Sequence, residues 1–238
     1  MAMNYFSINS VPCTDYGIIC KQLPPVILAA PRVTYQTLPG RDGALTILER
    51  DEEDGPVYDD ISVTAVCYMR DLSRLNEAAA FLEKSGEISF PTRPGGHYVG
   101  RVSGQIPIEQ IMRGRAQREF EVTFRLGPFW YAEGISDISL TAPQAVTNPG
   151  NAHSEPLIAV VCRGDGVLTV NGSVIYINAF TGEINLDCAA RLAYSGDALK
   201  NSAIDVEENW PRLNPGTNLI SWSGSISSVR ITPRWRYR

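Results

Sequence analysis

The sequence predicts a mainly β protein in two modules, an N-terminal β-rich domain carrying one α-helix and a C-terminal β-sandwich. Three observations lead there. Apolar and polar residues alternate with a two-residue period in several segments, a single segment has helical spacing, and clusters of Gly, Pro, Asn and Asp punctuate the chain between them. The clearest alternation, at Phe120–Leu126, sends Phe120, Val122, Phe124 and Leu126 to one face and Glu121, Thr123 and Arg125 to the other. Gly127-Pro128 is expected to end that strand and to gather Phe129, Trp130 and Tyr131 into an aromatic corner. The modules are therefore placed at residues 1–133 and 134–238, with the corner as their hinge.

In order, Tyr5–Ile8 and Ile18–Cys20 read as short strands around turns at Asn9-Ser10 and Asp15-Tyr16-Gly17. Val33–Leu38 reads as a strand before the tight turn Pro39-Gly40-Arg41-Asp42-Gly43. An acidic loop follows from Glu49 to Asp60, and Ile61, Val63, Ala65 and Cys67 then mark a strand. The helix is expected from a cap at Asp71 through Leu72, Leu75, Ala79 and Leu82, with Ser85-Gly86 as its stop. Ile88–Phe90 and His97–Val102 are strands, and an Arg-rich tract from Gln105 to Gln117 leads into Phe120. In the second module the apolar run Pro156–Cys162, the hairpin Leu168–Ile177 about Asn171-Gly172, and the alternations at Glu183–Cys188, Asn218–Trp222 and Val229–Trp235 suggest short strands at intervals of about ten residues.

Composition narrows the function classes. With 21 Lys+Arg against 26 Asp+Glu in 238 residues, the mildly acidic balance argues against nucleic-acid binding as the main activity. No apolar run reaches 18 residues and the first residues lack a basic segment with an apolar core, so neither a membrane span nor a secretory signal is expected. The five scattered cysteines, Cys13, Cys20, Cys67, Cys162 and Cys188, form no Cys-x-x-Cys pair and read as buried reduced thiols.

Signals for catalysis are sparse. His97 and His153 lie in different modules without a ligand partner four residues away, and no nucleophile elbow, Walker loop or zinc cluster occurs. No catalytic residue, cofactor or metal site is assigned. The acidic residues Glu49, Asp51, Glu52, Glu53 and Asp54 fit no calcium-loop spacing and read as a solvated face. Arg163-Gly164-Asp165 reads as a turn before the hairpin. Trp210 and Tyr194 could stack on a sugar ring, although packing is the better account of loop tryptophans. An unaccompanied carboxylate such as Asp187 or Glu183 is the only hydrolytic candidate, and Arg230, Arg234, Arg236 and Arg238 read as a solvated edge or a surface for an acidic partner.

Taken in order, Tyr5-Phe-Ser-Ile-Asn9, Asp15-Tyr-Gly-Ile18, Pro31-Arg32, Leu38-Pro-Gly-Arg-Asp-Gly43, Phe81-Leu82, Phe90-Pro91, His97-Tyr98, Phe120–Tyr131, Asn148-Pro-Gly-Asn151, Ser154-Glu-Pro156, Asn171-Gly172 and Pro211–Asn218 resemble the signposts of the distal tail proteins (Dit) of long-tailed, non-contractile phages and prophages. The resemblance spans nearly the whole chain. It implies an N-terminal belt domain that forms a hexameric ring, and a C-terminal galectin-like β-sandwich outside it. Such a ring is a non-enzymatic hub in the virion tail, made in the bacterial host cytoplasm and set between the tail tube protein and the baseplate or tail-tip hub protein. DNA passes its lumen without specific binding. Larger relatives carry inserted carbohydrate-binding modules, for which the C-terminal half here has no room. The Pro39–Gly43 turn with Arg41 and Asp42, the acidic loop and the helix are the candidate ring contacts. A lumen-facing acidic loop would repel DNA phosphates. The alternative function is a carbohydrate-binding adhesion module working through Trp210 or Tyr194.

Overall fold

The computed structural model describes residues 4–51, 55–108 and 118–238. The chain divides into two compact units, residues through Trp130 together with Arg238, and Tyr131–Tyr237. The fold is mainly β, as the alternation requires.

In the first unit β1 (Ser7–Ile8) and β2 (Val11–Pro12) pair across Asn9-Ser10, whose φ values of 51° and 64° are those a two-residue hairpin turn demands. A 3-10 turn at Cys13–Tyr16 leads into β3 (Ile18–Gln22). The ribbon of β4 (Val33–Thr37) and β5 (Ala44–Leu48) forms a two-stranded sheet of its own. Then come β6 (Ile61–Met69), the helix α1 (Leu75–Leu82), β7 (Ser85–Ser89), β8 (Gly96–Val102) and β9 (Arg118–Ala132). The main sheet runs β2-β1-β7-β8-β9-β6-β3.

The β6–β9 ladder is its centre. Nine consecutive residues pair, from Ile61 opposite Leu126 to Met69 opposite Arg118. Opposite residues share a face, so the buried Phe120, Val122, Phe124 and Leu126 meet the buried Cys67, Ala65, Val63 and Ile61. Phe124 takes Phe6 and Phe90 edge-on at 4.9 and 5.2 Å, and Phe81 brings α1 onto the same core by stacking on Tyr16 at 4.5 Å. Each such side chain contributes about 1.5–3 kcal/mol by leaving water.

Four expectations fail here. Gly127-Pro128 does not end the strand, because β9 continues to Ala132. Its ladder with β6 stops at Leu126, so the missing N–H of Pro128 breaks no bond on that side. The aromatics are strung along the strand, with Phe129 against Tyr58 and Trp130 under Arg93, and no corner forms. Asp71 does cap, accepting the Ser73 N–H at 2.9 Å, but it caps a 3-10 turn at Leu72–Arg74 that precedes α1. Ser85-Gly86 is no stop either, since it opens β7. Gly86 is needed because the Asn9 side chain crosses it to bond Ser85 O and Glu87 N, and a Cβ would lie 2.1 Å from Asn9 Oδ1.

The second unit contains β10 (Ile138–Leu140), β11 (Gln144–Asn148), β12 (Leu157–Val170), β13 (Ser173–Asp187), β14 (Leu192–Ser195), β15 (Ala198–Leu199), β16 (Ile204–Val206), β17 (Gly216–Thr232) and β18 (Arg236–Tyr237). The order is β10-β17-β12-β13-β14-β15, with β11 also on β17 and β16 on β13. Three long strands replace the expected short ones. Leu157–Cys162 and Leu168–Val170 belong to one strand, as do Glu183–Asp187 and Ser173–Ile177, and Asn218–Trp222 and Val229–Ile231. Both halves of each long strand feed the same core, through Ile158, Val160, Leu168, Val170, Ile175, Ile184, Ile220 and Val229. The sheet therefore folds over on itself. It bends where the β12 ladders shift register at Gly164/Gly166, so Arg163-Gly164-Asp165 is a bulge inside a strand and not a turn. Across this bend Gly224, at φ 76°, leaves no room for a side chain, since a Cβ would sit 2.6 Å from Asp165 O. Asn171-Gly172 closes β12–β13 with φ of 51° and 95°, as read from the sequence.

One end of this unit is held by two buried asparagines. Asn148 donates to Ala152 O and Leu213 O at 3.1 and 2.8 Å and accepts from Gly150 N at 2.8 Å. Asn218 Oδ1 accepts from Asn171 Nδ2 and Asn214 N, both at 2.6 Å, while its amide donates to Val146 O, Asn214 O and Gly216 O. The turn motifs at 148–151, 154–156, 171–172 and 211–218 thus meet in one place.

The tail arginines are not a solvated edge. Arg230 reaches Glu183 at 3.3 Å, Arg234 clasps Asp187 with two bonds of 2.8 and 3.0 Å, and Arg236, only 6% exposed, binds the His153 carbonyl and Glu155. Their acidic partners lie in the same unit. Arg234 beside Asp187, helped by the Ala190 and Ala189 N–H groups, holds that carboxyl below the ordinary aspartate range.

Two outcomes are expected. Asn218→Ala strips the acceptor from two part-buried donors and should destabilise the second unit by about 1–3 kcal/mol, read by urea unfolding followed through tryptophan emission, since Trp210, Trp222 and Trp235 all lie there. Asp187→Asn should cost about 1–2 kcal/mol at neutral pH, a figure reduced for the partial exposure of the pair. Because the folded-state pKa is depressed, that contribution is complete above the unfolded value near 3.9 and is lost as pH falls below it. Wild type and variant should therefore converge in acid and separate above about pH 4–5.

Candidate assembly surfaces

The β4–β5 ribbon places the candidate contacts. Its register, Val33 opposite Leu48 through Thr37 opposite Ala44, puts Val33, Tyr35 and Leu48 on one face and Leu45 and Ile47 on the other. Neither face is covered. Tyr35 is 70% exposed, Ile47 44% and Leu45 36%. A two-stranded hairpin is marginal alone, and among the described residues this one is anchored only at its base, where Arg32 N and Glu49 N bond Val57 O and Arg32 O, and Val57 N bonds Glu49 O.

The candidate residues separate along this ribbon. Arg41 and Asp42 sit at its tip, between Gly40 and Gly43, which both have left-handed backbone at φ 77° and 75°. Glu49 and Asp51 lie at its base, five paired rows or about 14–17 Å away at 3.4 Å per residue. Glu52, Glu53 and Asp54 fall outside the described residues. The acidic loop is also less bare than its sequence suggests. Arg32 bonds Asp59 at 2.8 Å and Glu49 at 3.2 Å, Arg125 takes Asp60 at 2.7 Å, and Asp51 folds back on Gly55 N at 2.8 Å. The two acids on Arg32 raise its pKa by hydrogen bonding and charge. Tyr35, Leu45 and Ile47 were not singled out from the sequence, though a β-like segment with no polar face was the available signal.

Chemistry elsewhere stays thin. Beside α1 an open groove of about 860 Å³ is lined by Met69, Leu75, Leu82, Arg101, Ile106 and Phe120 among others, with Glu83 its one acid among the described residues. Among the described residues no His, Cys, Asp and Glu group could hold a metal, and no helix is long and apolar enough to cross a membrane. Glu183 and Asp187, read as unaccompanied carboxylates, are engaged by Arg230 and Arg234. Trp210 is half-buried against the second core, and Tyr194 is half-buried in β14 opposite Asn185 and Leu199.

No protein-family model and no curated protein matches this sequence. Among solved structures the chain is similar to the one described as SPP1 Dit (gp 19.1), a paradigm of the hub adsorption apparatus in phages infecting Gram-positive bacteria, at a TM-score of 0.74 and 14% identity. The match takes in 95% of this chain and 97% of that one, so nearly every element has a counterpart and no extra domain separates the two. Over almost its whole length, this chain has the fold of a phage Dit protein.

Proposed function

We propose that the chain is a structural hub protein of a phage or prophage tail, acting as a homo-oligomer in the virion and performing no catalysis. The end-to-end match to SPP1 Dit carries this reading. The finer proposal is a hexameric ring between the tail tube protein and the baseplate or tip hub, formed by the first unit, residues 1–133 in functional terms, with the remaining residues as a galectin-like outer domain. A head-to-tail contact that closes on itself uses two different patches of each subunit. The β4–β5 ribbon supplies one: an apolar finger with Tyr35 and Ile47 in water wants a cover, and backbone edges on both sides can extend a neighbour's sheet. Arg41 and Asp42 at the tip and Glu49 and Asp51 at the base would then orient it. A lumen lined by the acidic loop would repel passing DNA less than seven carboxylates suggest, because Arg32 and Arg125 pair with three of them and offset two of their charges.

Native mass measurement with negative-stain imaging of the purified chain, alone and with its tail tube neighbour, tests this. A six-membered annulus is expected, and Tyr35→Ser with Ile47→Ser should weaken its assembly at least tenfold while leaving the melting temperature of the subunit within about 2 °C, since both side chains are exposed. A chain that stays monomeric in both conditions would overturn the ring, and full assembly by the double variant would overturn the ribbon contact.

A further inference from the structure

Three of the five thiols lie together in the first unit, which their separation in sequence hides. Cys20 Sγ sits between Cys67 Sγ at 3.7 Å and Cys13 Sγ at 3.9 Å, all three buried and reduced. Cys20 and Cys67 are direct cross-strand partners of β3 and β6. The N–H of Cys20 turns away from β6 to Asn4 O, so theirs is a non-hydrogen-bonded pair. Such pairs bring Cα atoms to about 4.5 Å, inside the roughly 4.4–6.8 Å a disulfide spans. The sulfurs need only rotate and close by under 2 Å to bond.

We propose that Cys13, Cys20 and Cys67 form an oxidative modification site in which Cys20 is the shared partner, and that a small-molecule disulfide converts it to one intrachain cross-link, Cys20–Cys67 first. The Cys20 thiolate attacks the oxidant's sulfur and expels one thiolate. Cys67 then attacks Cys20 Sγ and expels the second, so two electrons and two protons pass from the protein to two small thiols. The central sulfur suits the first role, since both neighbours can donate hydrogen bonds to it, which lowers its pKa while theirs rise. Entry is through β3, the last strand of the sheet, where Lys21 and Gln22 are exposed. The product would staple that end strand to the ladder at the sheet's centre. A cytosolic thiol pool keeps the site reduced, and exposure outside a cell removes that protection. It holds for any assembly state, since all three thiols belong to one chain.

The test is oxidation of the full chain by oxidised glutathione, with and without low urea to loosen β3, followed by thiol titration in denaturant and tryptic mapping. Five thiols should fall to three, and the peptide Met1–Lys21 should appear joined to Asp51–Arg70. Cys67→Ala should redirect the bond to Cys13–Cys20, seen as loss of two hydrogens within Met1–Lys21, while Cys13→Ala leaves the first link intact. Cys20→Ser should keep all four remaining thiols, with Cys162→Ser and Cys188→Ser behaving as the parent apart from one thiol fewer. The oxidised chain should melt on the order of 5–10 °C higher. Five persistent thiols in low urea, a lasting glutathione adduct at Cys20, or links between chains would each overturn the site.

Discussion

The β6–β9 ladder is the constraint on which the first unit depends. A strand's side chains alternate strictly, so shifting the register by one residue would turn Phe120, Val122, Phe124 and Leu126 to the solvent face along with their partners. Nine paired residues with one buried face leave no alternative register of similar energy. The core of the unit is built against that face, with Phe6 and Phe90 edge-on to Phe124 and α1 brought in through Phe81 and Tyr16. The thiol cluster follows from the same register, because Cys67 belongs to the buried row and β3 brings Cys20 directly opposite it.

Local alternation made that much legible from sequence. It located the buried rows of β6 and β9, the Asn171-Gly172 turn and the single helix, all of which depend on residues within a few positions of one another. What it could not show was where a strand continues. Gly164–Gly166 and Gly224 look like breaks in a sequence, yet in space they are the bend that lets a long strand serve both layers of one core. Glycine tells of a departure from regular backbone and not of whether the ladder resumes beyond it. Pro128 misled for the related reason that its cost depends on which neighbour faces its nitrogen, and β6 had already ended.

Charge was the least legible property. The tail arginines alternate as an exposed edge would, but Glu183, Asp187 and Glu155 lie far upstream and reach them only through the β13 and β17 strands and the loop before β12. The acidic loop misleads in the same way, since Arg32 precedes it by seventeen residues and more. Counting charges along a chain overstates the field they produce once it folds. The candidate catalytic carboxylates lose their standing on this ground, for a bidentate arginine clasp at Asp187 favours the ionised form and a fixed geometry.

The β4–β5 ribbon inverts the ordinary logic of reading a β protein. Strand assignment rests on contrast between a wet and a dry face, and this ribbon has none, because Tyr35 on one side and Ile47 on the other are both in water. A monomer gains little by keeping such a finger, since a hairpin without a covering layer stabilises itself poorly and its open edges invite pairing. Its exposed apolar residues are the ones that the proposed ring contact would cover. The sequence alone could describe the turn at Arg41 and Asp42, but the missing cover is a property of the fold, and it argues for assembly more directly than any charged residue in the molecule.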